Sequence, residues 1–194
     1  MAVSSVCVFC GSSLGNREEY RDSAIQLGHL IGQRGMQLVY GGARVGLMGT
    51  VADACMEAGG TTIGVMPQSL VDKEIAHTGL SDLKIVHSMH ERKALMSELS
   101  DAFIAMPGGF GTLEELFEVA TWAQLGLQSK AYGLLNTAGY YDHLLALADH
   151  AVETAFLRPQ HREMLLSHAE PEGLLDLVCS YQPSLLGKWD SPVK

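Results

Sequence analysis

From one end of this chain to the other, short apolar runs alternate with longer stretches whose apolar residues recur at helical spacing. No other feature constrains the fold as strongly. Strand–helix–strand units of this kind close on a parallel sheet, and continuous apolar strands fit a sheet covered on both faces. The first run, residues 3–10, stops at Gly11. Residues 17–34 follow, with Tyr20, Ala24, Leu27 and Ile31 on one helical face and Gly35 as a stop signal. The same reading predicts further strands over 36–40, 61–66, 83–87, 102–106, 131–135 and 164–168. Helices are predicted over 47–58, 89–99, 112–125, 140–155 and 172–181, with Ser88 as an N-cap, and 68–80 as irregular. The expected class is α/β, with a mainly parallel sheet of six or seven strands. It forms a single domain over residues 1–181, and 182–194 is a loose tail.

Composition narrows the function classes. Charged residues make up 18% of the chain, below the roughly 25% of ordinary soluble domains, as a covered sheet or an oligomer interface would require. Thirteen basic against 22 acidic residues give a net charge of −9, which argues against non-specific binding to nucleic acid or to an anionic membrane. No apolar run approaches the roughly 18 residues of a membrane span. The start, Met-Ala-Val-Ser-Ser, has neither the basic nor the apolar region of a secretory signal, so a cytoplasmic location is expected. Four cysteines, at 7, 10, 55 and 179, are too few for a disulfide-stapled domain. Cys7 and Cys10 form a CxxC, but inside a strand-like run, where free cysteine is core material. With no HExxH and no second CxxC, no metal site is expected. The eight histidines are scattered and read as structural, and Trp122 reads as packing.

Three loops follow strands and precede helices: Gly11-Ser12-Ser13, Gly41-Gly42-Ala43-Arg44-Val45-Gly46, and Pro107-Gly108-Gly109-Phe110-Gly111-Thr112. Glycine lets backbone amides approach an anion, and a helix N-terminus adds unpaired N–H groups and a favourable dipole. Three such loops at the carboxyl edge of one sheet predict a phosphate-bearing ligand. Neither GxGxxG nor a Walker A sequence is present, so the ordinary dinucleotide and P-loop sites are not indicated. The third loop runs into Leu113, Glu114 and Glu115. An acid in a first helical turn complements the dipole, which suits Glu114. Glu115, one residue further round, needs another reason to stand beside an anion site. Arg92 and Lys93 open the helix after the fourth strand, where cations oppose the dipole and an anionic partner explains them. Were the two strand ends neighbours, Arg92 and Glu115 would face each other across one cleft.

These stretches resemble motifs of the Lonely Guy (LOG) family. Residues 107–115 carry the PGGxGTxxE motif, residues 40–49 are similar to the second glycine motif, and Met89-His90-Glu91-Arg92-Lys93 is similar to the Arg-Lys motif. Order and spacing agree over roughly residues 3–180, with Ala43 standing where the second motif often has a third glycine. The resemblance implies a Rossmann-like three-layer sandwich. It also implies assembly into homodimers or larger homo-oligomers built from dimers. Family members cleave cytokinin riboside 5′-monophosphates to a free N6-substituted adenine and ribose 5-phosphate, and many carry the older label "possible lysine decarboxylase". By resemblance, Arg92 and Glu115 are catalytic. The implied substrate contacts are Glu74, Arg92, Lys93, Gly108, Gly109, Phe110, Gly111, Thr112, Leu113, Glu114, Glu115 and Thr121. Gly11, Ser12, Gly41 and Gly42 are further candidate loop contacts.

The implied reaction needs a carboxylate near the anomeric carbon and a donor for the leaving base, roles that fit Glu115 and Arg92 without metal or organic cofactor. The expected partner is a nucleoside monophosphate, either a cytokinin nucleotide or AMP. The alternative is a non-catalytic nucleotide or molybdenum-cofactor carrier of similar fold, which would need no hydrolytic pair. A pyridoxal-phosphate decarboxylase would need a Schiff-base lysine, and Lys93 is the one lysine beside a glycine or Arg-Lys motif within the strand–helix pattern.

Overall fold

The computed structural model describes residues 3–71 and 76–182. The continuous apolar runs become strands β1 (Ser5–Phe9), β2 (Gln37–Tyr40), β3 (Thr61–Pro67), β4 (Asp82–Val86), β5 (Ala102–Ala105), β6 (Ala131–Leu135) and β7 (Leu165–His168). They form one sheet in the order β4-β3-β2-β1-β5-β6-β7, and every pairing is parallel. The helices are α1 (Glu18–Gln33), α2 (Gly46–Glu57), α3 (Gln68–Val71), α4 (Met89–Glu98), α5 (Phe110–Gln124), α6 (Asp142–Glu153), α7 (Pro159–Glu163) and α8 (Pro171–Ser180).

The two-residue period of a strand assigns the layers. Val6, Val8 and Cys10 enter one apolar cluster with Tyr20, Ala24, Leu27 and Ile31 of α1 and Leu174, Leu175 and Val178 of α8. Cys7 and Phe9 enter the other with Met96 of α4, Leu116, Val119 and Ala123 of α5, and Tyr141. The helical face read from the sequence is the one α1 buries; Leu27 and Ile31 are fully buried, each stabilising by about 1.5–3 kcal/mol. The result is a three-layer α/β sandwich of Rossmann type. Its topological switch point lies between β1 and β5, so the loops after those two strands flank the crevice where such sheets bind ligands.

Local boundaries differ from the sequence reading where side chains cap or glycines conceal. Helix α5 begins at Phe110, two residues before the predicted start, because Gly109 is its N-cap and the Phe110-Gly111 pair reads as loop. Helix α6 begins at Asp142 rather than 140, after a 3-10 turn at Thr137–Gly139. Here the Asn136 side chain accepts from the Tyr141 amide at 2.6 Å. Helix α7, with Pro159 in its first turn, was not foreseen. The tail expected from 182 onward lies outside the described residues beyond Gln182.

Candidate active site

Arg92 and Glu115 meet, but not by the route the sequence suggested. Strands β4 and β5 are not neighbours; β3, β2 and β1 lie between them. The chain leaves the edge strand β4 and returns to the sheet centre through α4, which packs back over β3. Ser88 caps α4 by accepting from the Glu91 amide at 3.1 Å, and Glu91 accepts from the His87 amide at 2.8 Å. That reciprocal cap spends Glu91 and leaves Arg92 to cross the sheet edge. Arg92 Nε donates to the Val65 carbonyl of β3 at 3.0 Å, and Nη1 lies 3.5 Å from Glu115 Oε1. Gly41 makes this crossing possible: a Cβ there would stand 2.3 Å from Arg92 Nη2.

The pair closes one side of a cleft of about 310 Å³ at the switch point. Of the residues singled out from the sequence, Gly11, Ser12, Arg92, Gly109, Phe110, Gly111, Thr112, Glu114 and Glu115 line it. Cys10, Met48 and Met89 complete the wall; each lies within a motif read from the sequence, but none was named as a site residue. Both cysteines of the CxxC are buried and burial raises both thiols, so they are core groups rather than a redox pair.

Glu115 is 8% exposed. Burial pushes its carboxyl from 4.5 up to about 7, against the opposing pull of Arg92 and with a further push from Glu114. Glu114 is not in the first turn of α5, since that helix starts at Phe110, so it does not serve the dipole. It instead receives Lys93 Nζ at 2.5 Å, and Glu118 receives the same ammonium at 3.0 Å. Lys93 thus ties α4 to α5 behind Glu115. Burial alone would lower the Lys93 ammonium, but its bonds to Glu114 and Glu118 outweigh this and raise it. A Schiff-base lysine needs the opposite shift, so Lys93 does not fit a pyridoxal-phosphate site.

Other candidates lie elsewhere. Gly108 does not line the cleft and packs against Thr112 and Gly11, and Leu113 packs partly into the core. Thr121 donates to the Phe117 carbonyl at 2.6 Å and lines a separate groove with Ala148, Leu157 and Arg162. Gly41 and Gly42 serve packing: Gly42 O accepts from the His77 amide at 2.9 Å, and buried Ala43 bridges to Ala76. Gly46 adopts a φ of +61°, with its Cα so close to Ser12 that a Cβ would clash with the backbone. The second glycine loop therefore supports the first rather than lining the cleft. His77 Nε2 lies 2.8 Å from Asp53, a structural pairing. Glu74 lies outside the described residues.

The family model described as "Possible lysine decarboxylase" matches residues 48–178. The probable cytokinin riboside 5′-monophosphate phosphoribohydrolase LOGL9 of Oryza sativa subsp. japonica is 51% identical over 178 residues, spanning 92% of this chain and 78% of that protein. The chain belongs to the LOG family. A second relative, the cytokinin riboside 5′-monophosphate phosphoribohydrolase LOG1 of Arabidopsis thaliana, is 48% identical over 92% of this chain and 84% of its own length. Among solved structures, the molybdenum cofactor binding protein from Rippkaea orientalis superposes with a TM-score of 0.69 at 23% identity. It covers 92% of this chain and 96% of its own. That likeness speaks for the fold alone. Among the described residues, no helix is long and apolar enough to cross a membrane.

Proposed function

We propose that this LOG family member hydrolyses the N-glycosidic bond of nucleoside 5′-monophosphates, releasing the free base and ribose 5-phosphate. The observation that carries the reading is Glu115: a buried carboxyl titrating near 7, 3.5 Å from Arg92, in the same cleft as the N-terminus of α5. The substrate phosphate lies on the amides of Gly109–Thr112, where the helix leaves donors without intrahelical partners. The C1′–N bond breaks as positive charge grows on the ribose. The Glu115 carboxylate stabilises that charge and accepts a proton from the attacking water, whose oxygen bonds to C1′. The leaving base takes up a proton from solvent, Glu115 returns to solvent the proton it took from the water, and Arg92 offsets the transient negative charge on the base while favouring the ionised form of Glu115. Lys93, Leu113, Gly108, Thr121 and Glu74 remain in the proposed contact set by family resemblance. No cofactor enters these steps.

Cys10, Met48, Met89 and Phe110 make part of the cleft wall apolar, which supports an N6-substituted adenine over AMP as the preferred base. The four free cysteines support a reducing cytoplasmic location. Residues 1–181 act as one catalytic domain. A homodimer is supported by α6, none of whose residues is buried within the chain, with Leu147 exposed on it, and by the exposed Phe117 and Phe156.

The test is product analysis by liquid chromatography with isopentenyladenosine 5′-monophosphate, AMP and the free ribosides, alongside a Glu115→Ala variant. Free base with ribose 5-phosphate, absent in the variant, supports the reading. Intact nucleotides in every reaction would overturn it and favour a carrier.

A further inference from the structure

Three consecutive carbonyls in the turn after β5 each receive a donor from a different part of the fold. Met106 O accepts from Tyr141 Oη at 2.6 Å, Pro107 O accepts from the Gly11 amide at 3.1 Å, and Gly108 O accepts from Tyr140 Oη at 2.5 Å. The first two are the expected satisfaction of buried backbone: Tyr141 is 1% exposed, and the Gly11 bond joins the loops at the switch point. The third is different. Tyr140 is 39% exposed and Gly108 is partly exposed, so this bond, unlike the other two, is open to competition from water. A hydroxyl held there sets an orientation rather than filling a need.

The side chain that carries this hydroxyl is unusually constrained. Asn136 Oδ1 accepts from the Tyr141 amide, and Asn136 Nδ2 donates to Asp142 Oδ1 at 2.8 Å. Ala138 within the same turn has a φ of +53°, a strained value for a residue with a Cβ. Thr137 Oγ1 donates to Ser23 Oγ of α1 at 3.0 Å in a buried contact. The Tyr140 ring then stands edge-to-face against both Tyr20, at 5.8 Å, and Tyr141, at 4.9 Å. The turn between β6 and α6 therefore delivers one fixed hydroxyl to one carbonyl.

In a planar trans peptide the C=O and the following N–H point in opposite directions. Fixing Gly108 O toward Tyr140 thus turns the Gly109 amide the other way, and Gly109 lines the cleft. Gly109 is also the N-cap of α5, so the same peptide sets the start of the helix whose first amides face the cleft. Gly108 packs against Thr112 and Gly11, whereas open space surrounds the positions a Cβ would take on Gly109 and Gly111, so side-chain packing holds only the Gly108 half of this segment.

We propose that Tyr140 is a positioning residue of the substrate's phosphate site, acting through the Gly108–Gly109 peptide and touching neither the substrate nor Glu115. This inference rests on the phosphoribohydrolase reading for the identity of the anion, but not for its geometry. Tyr140→Phe keeps the ring and removes the hydroxyl. The variant is expected to weaken ribose 5-phosphate binding, measured by calorimetry, by about tenfold. It should raise KM for the nucleotide by the same factor, leave kcat within about twofold, and spare cleavage of any free riboside. Circular dichroism and the thermal midpoint verify that the variant is folded. Unchanged ribose 5-phosphate affinity in the folded variant, or a loss confined to kcat, would overturn the proposal. Binding separates the two readings. If the wild type holds ribose 5-phosphate but cleaves nothing, the hydrolase reading falls, and a tenfold difference in affinity still upholds Tyr140. If the wild type cleaves the nucleotide but holds no ribose 5-phosphate, the hydrolase reading stands and the Tyr140 proposal falls.

Discussion

Glu115 is held between burial, which resists its ionisation, and Arg92, which promotes it. This gives two predictions with definite signs. Acting as a carboxylate, Glu115 makes kcat/KM rise with pH, half-maximal at about 7. Arg92→Gln removes the largest influence lowering that pKa, so the rising limb moves to higher pH and the plateau falls by about 10²-fold or more. A pH–rate profile of both proteins checks this; a limb at the same pH in the variant would mean that Arg92 does not set the ionisation of Glu115. The second prediction concerns stability. Because the folded pKa is raised, the folded state binds a proton that the unfolded chain has lost between pH 4.5 and about 7. Stability from this group is therefore full below pH 4.5 and declines as pH rises through that window, by an amount on the order of 3 kcal/mol, then levels off. Urea unfolding across pH 4–8 reads the slope, and Glu115→Gln should abolish that part of it.

At the scale of elements, the site depends on α4 returning over β3 so that Arg92 passes Gly41. The guanidinium is flexible and yields to a methyl group more readily than the backbone does. Gly41→Ala is accordingly expected to lower kcat/KM by about 10²-fold through displacement of Arg92. The thermal midpoint should move by no more than about 3 °C. A large loss of stability with activity per folded molecule intact would refute that account of Gly41. Ser88 and the Arg-Lys pair were legible because a cap and cations against a dipole are local signals. The interior position of Glu114 was not, since Phe110-Gly111 resembles loop until tertiary contacts close the first turn. Neither was the role of Lys93, whose partners lie 21 and 25 residues away.

At the scale of the molecule, the lightly charged composition and the exposed apolar groups point the same way. Phe117 is 50% and Phe156 is 90% exposed on a chain of 20.9 kDa. Sedimentation should give twice the chain mass. Replacing both phenylalanines with aspartate should shift the protein toward monomer, because burying two carboxylates at an apolar contact is costly. A wild-type monomer, or a dimer indifferent to both changes, would place the contact elsewhere.

The sequence by itself determined what is local or periodic: six or seven strands and the apolar helix faces, the loops that follow strands, and the capping of α4. Two of the three glycine loops reach the cleft and one supports them from behind, a division that glycine content could not express. Only the tertiary structure decided that β4 is an edge strand, so that α4 packs back over β3 and Arg92 reaches past Gly41 to Glu115. Packing supplies the largest push on the Glu115 carboxyl, and desolvation depends on what surrounds a group and not on its neighbours in the chain. The same holds for Tyr140, whose meeting with Gly108 spans 32 residues. Propensities and periods act over a turn or two of chain, whereas these contacts exist only once the whole sheet has set the distances between its loops.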